Sequence, residues 1–523
     1  MSQFRVNVQN VSWSPHLTAV EATPTRGDNP LQDGFIRLEQ AEQLRLQGKL
    51  DRAQRICESL LREHPDYMAA LHTIGLIYAD KENYQQSLNS LVRAAMLNPR
   101  SWSTLTALSG VYLELKAHEM AAQTLELARA IKPRDANVLA TLGEIYSEER
   151  EYDLARDAFA QALESEPNLS PASAGLGWAY SYLGENAAAA ATFEKMLREG
   201  VQSFEPLAAL ANLPSSLFSV DLLSELEKYE QCSPDADETS KTQVAFVRAA
   251  ALDKVGRYKE AWECAVPANQ KVFLPLKQEV HDLFERQRTV LALLRANKVA
   301  AANDAKLPIS LFILGPSRSG KTTMERLVAT LDGVKRGYEN PSVDIALRRT
   351  YQTAGLPTRD LFEILPPQLY PLCREIYLEE LSRRAGLARV FTNTHPARIA
   401  DAALAAIVFP NVHFIFVRRD VDDTTLRIYL RQYRQRNAYA YDLKTAREHV
   451  LWYHQMMDVL AAKLPNRVRI INYEDMVSDP AGALRIAAEL CGLPPPKGPV
   501  PTVGNDSGAA EPYREFMAAA LNG

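Results

Sequence analysis

The chain has 523 residues, 46% of them hydrophobic and 24% charged, with a formal charge of −5. That composition excludes wholesale disorder, and the length is ample for a sizeable core, equal to about three or four domains at ordinary size. The acidic balance argues against a general nucleic-acid binder.

Charge is unevenly spread. Residues 301–523 carry 28 Lys/Arg against 24 Asp/Glu, and the remainder carries 31 against 40. Five cysteines, Cys57, Cys232, Cys264, Cys373 and Cys491, are scattered with no C-x-x-C pair. Such a set suggests free thiols in a reducing compartment, not a disulfide framework or a zinc site. The first residues, MSQFRVNVQNVSWSP, have no apolar signal core. The most apolar stretch, Ala402 to Val417, is interrupted by Pro410, Asn411 and His413 and is short for a membrane span. A soluble, cytoplasmic protein is expected. Residues 1–33 are rich in Pro, Asn and Thr and read as a loose N-terminal arm.

From Gly34 the chain repeats itself. Pro65, Pro99, Pro133 and Pro167 are 34 residues apart. Gly75, Ser109, Gly143 and Gly177 recur at the same step, as do Tyr78, Tyr112, Tyr146 and Tyr180. Ala53, Ser87, Ala121, Ala155 and Ala189 form another row, with Ala94, Ala128 and Ala162 later in each unit and Leu71, Leu105 and Leu139 near its start. Each unit is two helical patterns joined by a polar turn. The small residue lets the two helices approach, the tyrosine fills the next gap, and the alanines let units stack. Proline, lacking a donor, stops the second helix.

This pattern resembles the tetratricopeptide repeat, with about five units from Gly34 to Gly200. A divergent sixth is expected over Lys241 to Asn269, where LDKVGRYKEAW keeps a repeat-like turn and Ala261. Residues 34–300 are thus expected to form an α-solenoid whose concave face takes a protein partner or the acceptor. Trp178 and Trp262 are expected to be repeat packing residues.

From Pro308 the pattern changes. Ser310–Leu314 is a strand-like run leading into Gly315-Pro-Ser-Arg-Ser-Gly320-Lys321-Thr322-Thr323, with an amphipathic helix expected over Met324 to Leu331. Backbone amides in such a turn point at one spot and the helix start adds positive potential, so an anion sits there. Gly315 to Thr322 matches G-x-x-x-x-G-K-[ST], the Walker A loop. The row Ser317-Arg318-Ser319-Gly320-Lys321-Thr322 also resembles the sulfotransferase loop P-[RK]-S-G-T-T. Arg318, Ser319, Gly320 and Thr322 match it, and Ser317 and Lys321 depart.

The downstream chain decides between them. The strand-like Val412–Val417 ends in Arg418-Arg419-Asp420, followed by a helical segment expected from Asp422 to Tyr433. A nucleotide hydrolase would want a magnesium-binding aspartate after such a strand. Sulfotransferases have R-D-x-x-D-x-x-x-S here. Arg419, Asp420 and Asp423 match, and Arg427 stands at the serine. Val468–Asn472 reads as a strand running into Tyr473-Glu474-Asp475-Met476-Val477-Ser478-Asp479-Pro480, with a helix ending near Cys491. That row resembles the family's Y-E-D-[LM]-x-x-D-P. Residues 301–523 therefore resemble the sulfotransferase family, most like bacterial proteins that place tetratricopeptide repeats before a tyrosylprotein-sulfotransferase-like domain. The expected fold is a tetratricopeptide α-solenoid followed by a P-loop-like α/β domain with a parallel central sheet.

The resemblance implies transfer of a sulfuryl group from 3′-phosphoadenosine 5′-phosphosulfate to an acceptor hydroxyl, of a peptide tyrosine or a carbohydrate, with no metal. It implies donor contacts from Arg318, Ser319, Gly320, Lys321, Thr322 and Thr323, a 3′-phosphate site at Arg419 and Arg427, and Tyr473 near the adenine. Cationic side chains must then balance the developing charge, for which Arg318 and Lys321 are suited. Glu339, after strand-like Val334–Tyr338, is the expected general base. His395, after strand-like Ala388–Phe391, is its rival. Relatives often have a lysine where Thr394 stands. Arg427, Arg431 and Arg434 are spaced to share a helical face, with Arg431 and Arg434 expected to be solvated. The pairs Arg348-Arg349 and Arg383-Arg384 are expected at a surface or interface. Two other readings remain: a P-loop kinase or ATPase, from the complete Walker A match, and a repeat scaffold with a decayed transferase domain.

Overall fold

The computed structural model describes residues 30–522 apart from 202, 234–236, 303–307, 358–364, 396–397 and 434–436. Residues 1–29 of the expected arm 1–33, and Arg434, lie outside the described residues; residues 30–33 are not a loose arm but open the helix Pro30–Leu46. The chain divides into two compact units, residues 1–132 and 133–523.

The first unit is three helix hairpins: Pro30–Leu46 with Leu50–Glu63, Met68–Asp80 with Tyr84–Leu97, and Trp102–Glu114 with His118–Ile131. The second unit continues with Ala136–Glu148 against Tyr152–Ser165 and Ser170–Leu183 against Asn186–Arg198, so five hairpins match the five repeated segments. The small-residue row has a direct cause. A Cβ at Gly75 would lie 2.6 Å from Leu91, one at Gly143 2.6 Å from Phe159, and one at Gly177 2.5 Å from Phe193. In these three hairpins the first helix rests on the large side chain of the second. The alanine row at Ala53, Ala121, Ala155 and Ala189 is fully buried, as stacking requires.

Two further helix pairs follow. Phe204–Leu210 and Leu222–Cys232 escape the 34-residue spacing, whereas Glu238–Lys254 and Tyr258–Phe273 form the expected divergent hairpin, turning at Gly256 with φ +75°. Trp178 packs within the repeats, 5.5 Å from Phe193, and donates to Glu205. Trp262 does more than pack repeats: its ring meets Tyr429, Tyr513 and Phe516 from the last third of the chain. The long helix Lys277–Ala296 contributes Leu291 and Leu294 to the core of the sheet that follows.

That sheet has five parallel strands: β1 Ile309–Leu314, β2 Val334–Lys335, β3 Val390–Asn393, β4 Val412–Arg418 and β5 Val468–Asn472, in the order β2-β3-β1-β4-β5. The apolar runs are continuous because both faces are covered. Phe312, Leu314, Phe414 and Phe416 face a core with Tyr453 and Met456, while Leu311, Ile313, Ile415 and Val417 face Met324, Leu327 and Leu484. All carboxyl ends lie along one edge. The chain leaves β1 for β2 and β3 on one side and returns to β4 on the other, so a crevice opens beside the end of β1.

Four local expectations are corrected. The helix after the loop starts at Lys321, not Met324, and ends at Val328, because Gly320 at φ +100° is already its cap. The strand expected over Val334–Tyr338 stops at Lys335. A Cβ at Gly337 would lie 2.0 Å from the Thr392 carbonyl, and Tyr338 takes φ +54°, so the chain turns there and leaves Glu339 on an exposed turn. The strand expected over Ala388–Phe391 is shifted two residues, to Val390–Asn393. The helix expected to reach Tyr433 ends at Tyr429, which takes Arg431 off the face of Arg427.

Candidate active site

The sequence motifs come together at the carboxyl edge of the sheet. After β1 the loop Gly315–Gly320 turns back on itself through Arg318 at φ +69° and Gly320 at φ +100°. Neither glycine has room for a side chain. A Cβ at Gly315 would lie 2.3 Å from Ser319 Oγ and 2.7 Å from the Val417 carbonyl, and one at Gly320 2.6 Å from the Tyr473 ring. Ser319 is fully buried and its hydroxyl has no partner among the described residues. An unpaired buried hydroxyl is costly, so Ser319 keeps hydrogen-bonding capacity within the loop.

Lys321 opens the helix Lys321–Val328, is buried, and donates from Nζ to the Pro316 carbonyl at 3.1 Å. Burial pushes its pKa down to about 8; Glu339 pulls it upward and Arg318 downward. Thr322 is exposed and Thr323 half-buried in the same first turn, where amides lack helical partners. Arg318 is solvent-exposed yet ringed by protein, and its affinity for a proton is lowered first by the neighbouring charge of Arg431 and then by desolvation. Arg431 was expected on a solvated face. It is half-buried instead, with its proton affinity lowered by desolvation.

Of the two arginines after β4, Arg418 turns away to Asp458. Arg419 turns in. It is buried, donates to the Arg318 carbonyl at 3.2 Å, stacks 4.4 Å over the Tyr473 ring and pairs with Asp423 at 3.6 Å. Its Nε is buried without a partner among the described residues. Asp420 caps the helix Val421–Tyr429 by accepting from the amides of Asp422 and Asp423, both at 2.9 Å. Asp423 is buried and accepts from the amides of Gly508 at 2.7 Å and Ala510 at 2.8 Å, tying the C-terminal segment to the site.

Arg427 lies two turns into that helix. It forks onto Asp506, with Nη2 at 2.7 Å and Nε at 3.1 Å, and donates from Nη1 to Asp253 at 2.7 Å. Two carboxylates raise its pKa further despite burial. Tyr473 accepts from the Asp506 amide at 3.1 Å and donates to the Gly504 carbonyl at 3.3 Å. The rest of the Tyr473–Pro480 row is structural: Glu474 accepts from the Asp420 amide at 3.1 Å, and Asp479 caps the helix Pro480–Leu490 at Gly482, 2.9 Å.

The two rival bases turn out to be neighbours. Asn340 donates to the Thr392 carbonyl at 3.0 Å, and Asn393 donates to the Asn340 carbonyl at 3.1 Å, so the turn bearing Glu339 is sewn to the end of β3. His395 follows directly, its amide donating to Asn393 Oδ1 at 2.9 Å. Burial lowers the His395 pKa, Arg398 lowers it further, and Glu339 opposes both. Its Nδ1 is buried without a hydrogen-bond partner among the described residues. The Glu339 carboxylate thus acts on both Lys321 and His395. Glu325, buried beneath, accepts from the Tyr338 amide at 3.0 Å and the Thr392 hydroxyl at 2.5 Å and positions that turn.

Sequence reasoning missed the repeat side of the site. Tyr152 stacks on Tyr182 at 4.4 Å and meets the Tyr338 ring edge-on at 4.8 Å. Arg150 donates to the Tyr152 hydroxyl at 3.0 Å and its charge is felt by His395. Arg336 donates to the Leu183 carbonyl at 3.0 Å. Arg150 turns at φ +63°, but Glu82 at +58° and Lys116 at +57° do the same at the equivalent place in earlier hairpins, so that turn marks the repeat and not the site. The missed Asp506 and Asp253 carry no motif at all. A cleft lined by Asp420, Asp423, Glu474, Gly508 and Arg514 among others borders the C-terminal segment tied to the site and shares no residue with the loop Gly315–Gly320.

Comparison with known proteins agrees with this layout. Residues 308–497 match the sulfotransferase family, and residues 37–67 and 136–169 match tetratricopeptide-repeat families. No curated protein matches the chain significantly. Among solved structures, MamA from Desulfovibrio magneticus is 20% identical, covering 32% of this chain and 93% of its own, with TM-score 0.30. YrrB, described as a TPR protein with an unusual peptide-binding site, is 20% identical over 35% of this chain and 93% of its own, with TM-score 0.32. The pilF protein of Pseudomonas aeruginosa is 15% identical over 39% and 94%, with TM-score 0.34.

Proposed function

With a sulfotransferase-family segment placed behind tetratricopeptide repeats as the premise, we propose that the chain transfers a sulfuryl group from 3′-phosphoadenosine 5′-phosphosulfate to an acceptor hydroxyl. The observation that carries the donor reading is Arg419. It reaches back from β4 to hydrogen-bond the loop at the Arg318 carbonyl, 3.2 Å, and so sets a second cationic position beside the phosphate loop. A donor with phosphates at both ends of its ribose needs two such positions. The residues present fit that donor. The Ser319 hydroxyl and the Arg419 Nε, both buried, have no partner among the described residues and leave hydrogen-bonding capacity for a ligand.

In this reading Ser319, Thr322, Thr323 and the loop amides hold the 5′ end of the donor, and Arg419 and Arg427 hold the 3′ end against Tyr473. The donor supplies an electrophilic sulfuryl group; the protein supplies position and charge. Lys321 and Arg318 stabilise the negative charge that builds on the bridging and equatorial oxygens. Lys321 stands in for the absent lysine at Thr394. Glu339, exposed and next to Lys321, takes the acceptor proton. The repeats bring the acceptor, a peptide or a glycan, to the turn at Tyr338 and Glu339, where Tyr152 already touches.

Calorimetric titration of the full chain with adenosine 3′,5′-bisphosphate, and separately with ATP plus magnesium, tests this. Metal-independent binding of the bisphosphate is the expected result. The complete G-x-x-x-x-G-K-T row keeps the kinase or ATPase reading as the alternative, and preference for ATP with magnesium would establish it. Binding of neither would leave a repeat scaffold.

A further inference from the structure

Two arginines of the site converge on a carboxylate that belongs to the chain itself. Arg427 gives Asp506 a two-point fork, Nη2 to Oδ1 at 2.7 Å and Nε to Oδ2 at 3.1 Å. Arg419 adds Nη2 to Oδ2 at 3.1 Å and a second bond to the Asp506 carbonyl. Two guanidinium groups around one group of oxygens is the coordination that a phosphate takes. Burial alone would push the Asp506 carboxyl up, yet the hydrogen bonds and charge of Arg427 and Arg419 hold it below the usual range.

The cations do not depend on Asp506 for their placement. Arg427 keeps Asp253 on its other nitrogen at 2.7 Å. Arg419 keeps Asp423, the Tyr473 ring and the Arg318 carbonyl. Asp253 in turn is fixed by the Tyr513 hydroxyl at 2.8 Å. Asp506, by contrast, has a way out once the Tyr473 hydroxyl gives up the Asp506 amide and the Gly504 carbonyl. Its side chain is 45% exposed, and glycines flank it at 504 and 508. A Cβ at Gly504 would meet nothing within 4 Å, and Gly508 already adopts φ +75°. Beyond Gly508 the segment is pinned, since Asp423 holds the Gly508 and Ala510 amides.

We propose that Asp506 is an internal counter-anion that occupies the 3′-phosphate position in the ligand-free protein and is exchanged for that phosphate when the donor binds. The proposal rests on the donor reading above. Exchange keeps the buried arginines paired at every stage, which avoids leaving unpaired charge in the site. It lowers donor affinity by the fraction of molecules in which Asp506 still sits on the arginines. It also couples donor occupancy to release of residues 504–507, while residues 508–510 stay in place.

The full chain is titrated with adenosine 3′,5′-bisphosphate and with adenosine 5′-phosphate, as wild type, Asp506→Ala and Arg419→Ala. Asp506→Ala should bind the bisphosphate roughly tenfold tighter, with 5′-phosphate affinity changed by less than about twofold. Hydrogen exchange on the wild type supplies a readout that needs no variant. The bisphosphate, and not the 5′-phosphate, should speed exchange at residues 504–507 and leave Gly508 and Ala510 protected. An unchanged bisphosphate preference in Asp506→Ala, with Arg419→Ala still weakening it, overturns the exchange and leaves the donor reading standing. If no form distinguishes the two nucleotides and Arg419→Ala has no effect, the donor reading fails and the exchange with it.

Discussion

Lys321 begins a helix and lies buried with its ammonium turned onto the Pro316 carbonyl. Burial holds its pKa near 8. A bound anion favours the charged form, so binding draws a proton onto this lysine whenever the free form has lost one. The sign follows directly. Below about pH 7 the lysine is already charged and binding takes up no proton there; as pH rises through 8, affinity for adenosine 3′,5′-bisphosphate should fall. Calorimetry in buffers of different ionisation enthalpy measures the proton uptake, and Lys321→Arg should flatten the profile, because arginine stays charged. Glu339 and His395 are separated by the same approach. Glu339→Gln should cut turnover roughly 100-fold or more while bisphosphate affinity stays within about twofold. A larger loss in His395→Ala would move the base to the histidine. The sequence nominated both residues on spacing; the hydrogen bonds from Asn340 and Asn393 explain why spacing could not choose, since they bring both to one turn.

The helix hairpins show how a period becomes packing. Gly177 faces Phe193, and an added Cβ would sit 2.5 Å from the ring. Alanine is the better helix former by about 1 kcal/mol, but overpacking costs about 1–3 kcal/mol. Gly177→Ala should therefore lower the urea midpoint, and Phe193→Leu in the same background should recover part of the loss. If Gly177→Ala alone raises the midpoint, the close contact does not govern that hairpin. Repeat rows, strand runs and the loop Gly315–Gly320 were legible because each is a local pattern of side-chain size or polarity. The ends of elements were less so. The helix after the loop begins three residues early because Gly320 takes a left-handed conformation, and β2 stops at Lys335 because Gly337 must back onto the Thr392 carbonyl. Both causes are contacts with distant parts of the chain.

Within residues 133–523 the later repeats and the sheet share one compact unit, and Arg384 shows how they are joined. Its side chain is 2% exposed and reaches Glu149 at 2.8 Å, Glu151 at 3.4 Å and Glu380 at 3.4 Å, with a further bond to the Glu149 carbonyl. Removing one partner of a buried pair strands the others. Arg384→Ala should cost about 3 kcal/mol, read as a lower thermal midpoint and faster proteolysis between the repeats and the sheet. A double-mutant cycle with Glu149→Ala should show coupling, and independent effects would rule the pair out as a joint.

The sequence by itself determined the architecture, a tetratricopeptide solenoid ahead of a parallel α/β domain, and the strand–loop–helix that carries Gly315–Thr323. Those features depend on periodic burial and on glycines at a strand–helix turn, both written locally. Tertiary structure alone decided which charges meet. Arg431 stands against Arg318 rather than in solvent. Tyr152 and Arg150 of the repeats border the turn that bears Glu339. Asp506 sits on Arg419 and Arg427, with Asp253 behind. These groups lie tens to hundreds of residues apart in the chain. Charge interacts through distance in space, so no periodicity or motif records their meeting.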